Sequence, residues 1–86
     1  MNVFIAQPLR SYTEQQPVVS AQGSTLDELL YDLDRQYPGI RFRMVNEQDE
    51  MRRHVVFVVD GERTLNLGVP LVGCQEVVIL QALAGG

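Results

Sequence analysis

The chain has 86 residues, enough for one domain, and its 45% hydrophobic and 21% charged residues are ordinary for a globular protein. The net charge of −4 argues against a nucleic-acid-binding module, which normally carries a basic surface. No apolar run reaches the roughly 18 residues that span a bilayer, and residues 1–5 lack the basic region of a signal peptide. We therefore expect a cytoplasmic protein that binds neither membranes nor nucleic acids.

The sequence offers few groups for catalysis or metal binding. Cys74 is the one cysteine and His54 the one histidine, which excludes an internal disulfide and a multi-cysteine metal site. No nucleophile–base pair is evident, so we expect neither an enzyme in its own right nor a metal or cofactor bound to the chain. Cys74 has two interpretations: an incidental buried thiol, which is the simpler one, or a persulfide relay near the last strand.

The first third of the chain predicts a β-hairpin. Residues 2–7 form a short apolar run that ends at Pro8. Residues 17–21 form a second run, which begins with proline, where a strand tolerates a missing N–H. The polar stretch between the two runs is expected to be a long connecting loop.

A capping box opens the main helix. Thr25 is the predicted N-cap, with Glu28 reaching back to it, and Pro38 stops the helix near Gln36. The buried face of this helix is formed by leucines at helical spacing: Leu26, Leu29, Leu30 and Leu33.

Short apolar runs and turn signals alternate in the second half. Residues 40–45 fit a turn of helix or a brief strand, and we favour the helix. The other predicted elements are an acidic loop at 46–50, a strand at 55–59, a tight turn at Asp60-Gly61, a short strand at 62–64, a loop with buried leucines at 65–71, and a last strand at 77–82. This order predicts an α+β fold: a mixed sheet with one main helix packed across one face, and the first and last strands parallel at its centre.

Two of the predicted strands are apolar on both faces. Alternate residues of a strand point to opposite faces, so the residues expected to face the helix are Val55, Phe57, Val59, Val77 and Ile79. The residues then left on the outer face are Val56, Val58, Val78 and Leu80. A solvated sheet face is normally polar, so these four residues predict a surface for a partner protein. The alternative is that a loop or a second copy of the chain covers them.

The basic residues are unusual in kind and position. All seven are arginine, and four of them form a candidate basic patch: Arg41, Arg43, Arg52 and Arg53. Surface arginines often have no such function. The absence of lysine fits codon bias, which is the simpler explanation, or a need to keep amines away from an activated acyl group at the C-terminus.

The chain ends in Ala84-Gly85-Gly86, directly after the last predicted strand. Glycine has no side chain to bury and loses the most backbone freedom on ordering. The two glycines are therefore either a frayed terminus or a thin segment that enters a narrow tunnel and presents the carboxylate of Gly86. We accordingly divide the chain into a domain at 1–83 and a flexible tail at 84–86.

The order of these motifs resembles the ubiquitin-like β-grasp sulfur carriers of the MoaD/ThiS family. The resemblance spans nearly the whole chain and is closest to the CysO-type carriers. The matching stretches are Leu9-Arg10, Tyr12-Thr13, Ser24-Thr25-Leu26, Tyr37-Pro38-Gly39-Ile40, Val59-Asp60-Gly61-Glu62, the strand Glu76-Val77-Val78-Ile79-Leu80 and the terminal Leu83-Ala84-Gly85-Gly86. One departure concerns Gln81 and Ala82, which stand where the molybdopterin subunit typically has two prolines.

The resemblance implies a carrier. An E1-like adenylyltransferase/sulfurtransferase, using ATP and magnesium, would adenylate Gly86, and a sulfur donor would convert it to a thiocarboxylate. A second, acceptor enzyme, cysteine synthase-like or other, would then receive the sulfur. The implied docking surface consists of Val56, Val58, Val78, Leu80 and Leu83, next to the slender approach of Ala84 and Gly85. Two alternatives stay open, a binding module that is never activated and a modifier that Gly86 joins to a target lysine.

Overall fold

Residues 1–81 are described by the structure, a computed structural model, and they form a five-stranded sheet with a helix across one face. The strands are β1 (Asn2–Ile5), β2 (Val18–Ser20), β3 (Val55–Val59), β4 (Glu62–Thr64) and β5 (Glu76–Gln81), and the helices are α1 (Leu26–Gln36) and α2 (Ile40–Met44). The predicted domain boundary after residue 83 and the predicted tail at 84–86 lie outside the described residues.

The strand order is β2-β1-β5-β3-β4. β1 pairs antiparallel with β2, as the predicted hairpin requires, and parallel with β5, with Val3 opposite Val77. β5 pairs antiparallel with β3 on the edge away from β1, and β3 in turn pairs antiparallel with β4. A parallel pair needs a long crossover connection. The chain between β1 and β5, which includes α1, supplies it. The predicted α+β class and the central parallel pair are confirmed.

Helix α1 covers the inner face of the sheet with a stripe of leucines. All four predicted leucines are fully buried, against inward-facing residues that include Val3, Phe57 and Ile79. The backbone N–H of Glu28 donates to Thr25 Oγ1 over 3.2 Å, which confirms the N-cap. The Glu28 carboxylate, however, accepts from the backbone N–H of Ser24 over 2.9 Å, one residue earlier than a capping box predicts.

Gly23 allows the chain to pass close over the first turn of α1. A Cβ atom at this position would lie 2.4 Å from the backbone nitrogen of Leu29, which no side chain tolerates. Glycine is therefore required here by the close approach of two backbone segments. Within residues 1–81, no helix combines the length and the apolar character that crossing a membrane requires.

Several predicted boundaries change in the structure. The first strand ends at Ile5, not at residue 7, because Pro8 lies in a 3₁₀ turn, Gln7–Leu9, that buries Leu9. The second strand shortens to Val18–Ser20, and the last strand begins one residue earlier than predicted. Residues 40–44 are helical, as we favoured.

The prediction of buried leucines at 65–71 is only partly right. Leu71 is buried and Leu67 packs partly against the core, but Leu65 is 78% exposed. Spacing could not predict this difference, because an irregular loop has no fixed period that assigns its side chains to one face.

Thr25→Ala should lower the free energy of unfolding by about 1 kcal/mol, because the first turn of α1 loses the acceptor for the Glu28 N–H. Urea denaturation measures this change. Ser24→Ala is the matched control, since Ser24 joins the cap through its backbone N–H, and its effect should stay within about 0.5 kcal/mol. Equal destabilisation by the two substitutions would show that the hydroxyl of Thr25 does not cap the helix.

Candidate functional site

The four predicted outward residues of β3 and β5 form one contiguous surface. Val56 lies directly opposite Leu80 and Val58 directly opposite Val78 in the antiparallel ladder. Residues directly opposite in such a ladder have Cβ atoms about 4.5–5.5 Å apart, so their side chains touch. The structure thus brings these residues together on the face opposite α1. Leu83, the fifth predicted member of this surface, lies outside the described residues.

Two further residues, which the sequence analysis missed, extend this surface. Phe4 lies opposite Val78 in the parallel pair and opposite Val18 in the hairpin. Phe4 is 37% exposed and Val18 is 38% exposed. A signal for Phe4 was available, because Val3 and Ile5 are apolar residues on either side of it and alternation then places Phe4 on the outer face. We call the resulting set the outer apolar patch: Phe4, Val18, Val56, Val58, Val78 and Leu80.

The outer apolar patch is open to solvent. Leu80 is 48% exposed, and Val56, Val58 and Val78 are partly exposed. The alternative that a loop covers these residues is therefore wrong for residues 1–81. A contiguous apolar face on a sheet that could instead be polar is typical of a surface that contacts another protein.

The patch reaches the end of β5 from which the chain continues to its terminus. Gln81 is the last residue of β5 and lies opposite Val55, one position beyond the pair of Val56 and Leu80. A protein that covers the patch would therefore also reach Gln81, the last described residue before the C-terminal segment. The predicted reacting residue Gly86 and the approach residues Ala84 and Gly85 lie outside the described part of the chain.

At its other end, β5 is held by the side chain of Asp60. The Asp60 carboxylate accepts from the backbone N–H groups of Glu76 and Gln75, each over 3.1 Å. These hydrogen bonds, that from Glu76 first, hold the pKa of Asp60 below its usual value. Asp60 and Gly61 both have positive φ, as a tight Asp-Gly hairpin turn requires. The turn connects β3 to β4, and the Asp60 carboxylate ties the end of β3 to the start of β5. This contact helps to fix the register of β3 on β5, which decides the face of the side chains on both strands.

Cys74 lies near Asp60, at the end of β5 away from Gln81. Its Sγ donates to the carbonyl oxygen of Glu76 over 3.2 Å, and burial raises the pKa of this thiol. The thiolate is the form that carries sulfur chemistry, so a raised pKa makes Cys74 a poor nucleophile. β5, a strand of six residues that begins two residues after Cys74, has Gln81 at its far end, and a strand of this size is about 20 Å long. These observations favour the incidental thiol over the persulfide relay.

In residues 1–81, no group of three His, Cys, Asp or Glu side chains converges as metal ligands.

Comparison with known proteins identifies the family. The model of the ThiS family matches residues 3–86. The sulfur carrier protein CysO of Mycobacterium tuberculosis is 34% identical over the full length of both chains. The chain belongs to the ThiS family. The predicted family, and within it the likeness to CysO-type carriers, is confirmed.

Solved structures show the β-grasp fold. The crystal structure of M. tuberculosis CysO, 31% identical, superposes with a TM-score of 0.87 over 95% of this chain and 98% of that one. CysO in the Amycolatopsis orientalis BexX/CysO complex, 30% identical, gives the same TM-score over 99% and 98%. Small archaeal modifier protein 1 of Methanosarcina acetivorans, 20% identical with a TM-score of 0.80 over 99% and 94%, supports the fold alone. The predicted ubiquitin-like β-grasp is thus confirmed.

Asp60→Asn should make stability less dependent on pH in acid. Because the pKa of Asp60 is lower in the folded than in the unfolded chain, its carboxylate stabilises the fold above pH ~4, and this contribution is lost as the pH falls through the folded pKa. Asparagine keeps an oxygen acceptor and tolerates positive φ, but it loses the charge. Urea unfolding at a series of pH values should show Asp60→Asn destabilised at neutral pH, with the difference from wild type narrowing in acid.

Glu62→Gln, in β4 just beyond the turn, is the control for this titration. It makes the same change of charge, and among residues 1–81 no hydrogen bond to its carboxylate is found. Its stability should follow the wild-type pH profile. A difference for Asp60→Asn that stays constant down to the lowest pH would contradict the assigned contribution of the carboxylate.

Proposed function

We propose that the chain is a sulfur carrier, whose C-terminal Gly86 is adenylated by an E1-like enzyme, converted to a thiocarboxylate and used as a sulfur donor in a biosynthetic reaction. The observation that carries this proposal is the outer apolar patch beside Gln81, five residues before the terminal Gly86 in a member of the ThiS family. The relatives named CysO are sulfur carriers by name, and the A. orientalis protein is found in complex with BexX.

The chemistry explains why the chain itself needs no catalytic side chain. A carboxylate is a poor electrophile, but its oxygen can attack the α-phosphorus of ATP, releasing pyrophosphate and leaving an acyl-adenylate. A sulfur nucleophile then attacks the acyl carbon, and AMP leaves with the electron pair of the broken C–O bond. The partner enzymes supply ATP, magnesium and the sulfur donor. The chain supplies the carboxylate, a terminal Gly85-Gly86 without side chains, and a surface by which the partner recognises it.

The sulfur would pass to an acceptor held by a second enzyme, of the cysteine synthase-like class or another. Conjugation to target proteins is the competing use of an activated C-terminal glycine. The chain has no lysine, so an isopeptide bond between lysine and Gly86 cannot link one copy to another. A thiocarboxylate and an isopeptide are distinguished directly by the product formed at Gly86.

Intact mass after incubation with the adenylating enzyme of the same organism, ATP and a sulfide source tests the carrier function. We expect one terminal oxygen to be exchanged for sulfur, because sulfide displaces AMP from the acyl-adenylate. A variant that lacks Gly86 keeps every described contact of the fold and should stay unchanged in mass. An unmodified wild-type chain, with an enzyme shown to activate another carrier, would favour the binding module that is never activated.

Leu80→Asp should impair activation while leaving the domain folded. Leu80 is half-exposed on the outer apolar patch, so a partner that buries it loses about 2 kcal/mol of apolar contact, and a carboxylate in its place has to be desolvated. The KM for the carrier in ATP–pyrophosphate exchange should rise more than about tenfold. Circular dichroism should show an unchanged fold.

Val72→Asp is the matched control for this substitution. Val72 is 91% exposed and precedes β5 at the end of the strand away from Gln81. The substitution therefore also replaces an exposed apolar side chain by a carboxylate, but outside the outer apolar patch. Its KM should equal that of wild type. A folded Leu80→Asp variant with wild-type KM would remove the outer apolar patch from the activation reaction.

A further inference from the structure

The four arginines of the predicted basic patch fall into two groups. The Arg41 side chain is only 13% exposed, pairs with Asp27 over 2.8 Å and Asp49 over 3.2 Å, and lies 4.1 Å from the centroid of the Tyr31 ring. These contacts join the acidic loop to α1 and neutralise the charge of Arg41. The prediction that Arg41 belongs to the basic patch is therefore wrong.

The other three arginines keep their charge available. Across residues 1–81, no carboxylate forms an ion pair with Arg43, Arg52 or Arg53. Arg52 is positioned by a neutral contact, since its Nε donates to the carbonyl oxygen of Phe42 over 2.7 Å and its guanidinium lies 4.7 Å from the centroid of the Phe42 ring. The other guanidinium nitrogens of Arg52 remain available, because a backbone carbonyl occupies only one of its donors.

The backbone brings the three arginines to the base of one loop. The N–H of Arg52 donates to the carbonyl oxygen of Met44 over 2.9 Å, and Val45 forms an antiparallel bridge with Met51. The residues on either side of these pairs are thus neighbours, which places Arg43 beside the segment that contains Arg52 and Arg53. Phe42, 51% exposed, lies among them. We call Phe42, Arg43, Arg52 and Arg53 the arginine cluster.

The local charge here is opposite in sign to that of the whole protein. Residues 41–53 contain four arginines and three acidic residues, whereas the rest of the chain contains three arginines and eight acidic residues. The acidic residues of this segment lie at 47–50, at the tip of the loop. Asp49 is paired with Arg41, and the Glu50 carboxylate accepts from Asn46 Nδ2 over 3.2 Å. The base of the loop is therefore a small positive region on an acidic protein.

This region adjoins the end of β5 that leads to Gly86. The N–H of Val55 donates to the carbonyl oxygen of Arg52 over 3.1 Å, and Val55 lies opposite Gln81. The arginine cluster thus lies next to Val55, which precedes Val56 of the outer apolar patch and pairs with Gln81. A protein that takes up residues 82–86 and covers the patch also approaches the arginine cluster.

We propose that the arginine cluster binds acidic side chains of the adenylating enzyme, at the opening through which that enzyme receives the C-terminus. Arginine pairs with carboxylates through two parallel hydrogen bonds, and aromatic and arginine residues are enriched at the centres of protein interfaces. Because the net charge is −4, the overall field does not direct the chain towards an acidic surface, and a local positive region at the tail end would orient the encounter. This inference rests on the proposed function.

An acidic protein surface fits better than a nucleic acid. Binding to a phosphate backbone draws on many positive charges spread along a surface. This protein has only three available arginines in the cluster. Outside residues 41–53, acidic residues outnumber basic ones by five. That excess would repel a polyanion, whereas a few carboxylates at a tunnel opening match a cluster of this size.

Arg53→Glu tests the proposal, with Arg35→Glu as the matched control. Both replace an exposed arginine by glutamate and change the net charge equally, but the Arg35 side chain, 74% exposed, lies in the last turn of α1 and pairs with Asp32. The readout is ATP–pyrophosphate exchange by the adenylating enzyme of the same organism, with carrier concentration varied at low and at moderate salt. Arg53→Glu should raise KM about tenfold, since reversing a charge at a complementary interface costs more than losing one. Its kcat should stay within about twofold, because the group is remote from the reacting carboxyl.

Salt provides a second, independent readout. The KM of wild type should rise with salt, because salt screens the attraction between the arginines and acidic side chains. The KM of Arg43→Glu/Arg53→Glu should be high at low salt and should not rise with salt, because salt then screens a repulsion between like charges. Circular dichroism should show all variants folded. Arg35→Glu should keep the wild-type KM and its salt dependence.

The outcomes separate this proposal from the one on which it rests. Equal KM values for Arg53→Glu and Arg35→Glu, with wild type activated normally, would overturn the acidic contact and leave the carrier function standing. If wild type binds a single-stranded oligonucleotide and Arg53→Glu loses this binding while keeping the wild-type KM, the cluster would be assigned to nucleic acid. That result would also overturn the proposal. A wild-type chain that is never activated would overturn both.

Discussion

The pairing of β1 with β5 organises this small protein. These two strands are the first and the last of the described residues, yet they lie side by side at the centre of the sheet, with Val3 opposite Val77 and both residues fully buried. Parallel neighbours need a crossover, so α1 has to pass over one face and bury its leucines there. The same pairing holds β5 between two strands, β1 and β3. The strand that leads towards the C-terminus is thus paired with a neighbouring strand on each of its edges.

β5 serves two surfaces at once. Val77 and Ile79 are fully buried under α1, while Val78 and Leu80 belong to the outer apolar patch. A shift of one residue in register would exchange the two sets, exposing the core residues and burying the others. The Asp60 carboxylate, bound to the N–H groups of Gln75 and Glu76 next to the turn, fixes the register at the start of the strand. A carboxylate far from Gln81 therefore helps to decide which side chains of β5 face outward beside Gln81.

Charge and apolar surface are arranged around the same end of β5. The outer apolar patch supplies contact area, and such area by itself gives little orientation, because apolar contact is not directional. The arginine cluster lies beside it, where Val55 pairs with Gln81. Arg41 shows that proximity in sequence does not make an arginine available, since Asp27 and Asp49 neutralise it. An apolar surface with a charged border at one end can fix both the contact and the direction in which a terminus enters a partner.

The sequence by itself determined most of the fold. The leucine spacing of α1, the Thr25 cap, the alternation in β3 and β5 and the Asp-Gly turn are local signals, each carried by a few neighbouring residues, and the structure confirms all of them. The family followed from the order of these signals and from the terminal Gly-Gly. Four residues of the outer apolar patch could be predicted because a strand has a strict period of two.

Tertiary structure alone decided what depends on contacts between distant segments. Phe4 and Val18 belong to the patch because β1 lies between β5 and β2, with Phe4 opposite both Val78 and Val18. The pairing of β1 with β5 was predicted, but the register that sets these side chains side by side depends on the assembled sheet. The exposure of Leu65 could not be predicted from the sequence, because the residues of an irregular loop follow no fixed period. Arg41 was removed from the basic patch by Asp27, fourteen residues away, and Arg52 was kept in it by Phe42, ten residues away. Local pattern specifies which way a side chain points within its element, and packing between elements specifies what it meets there.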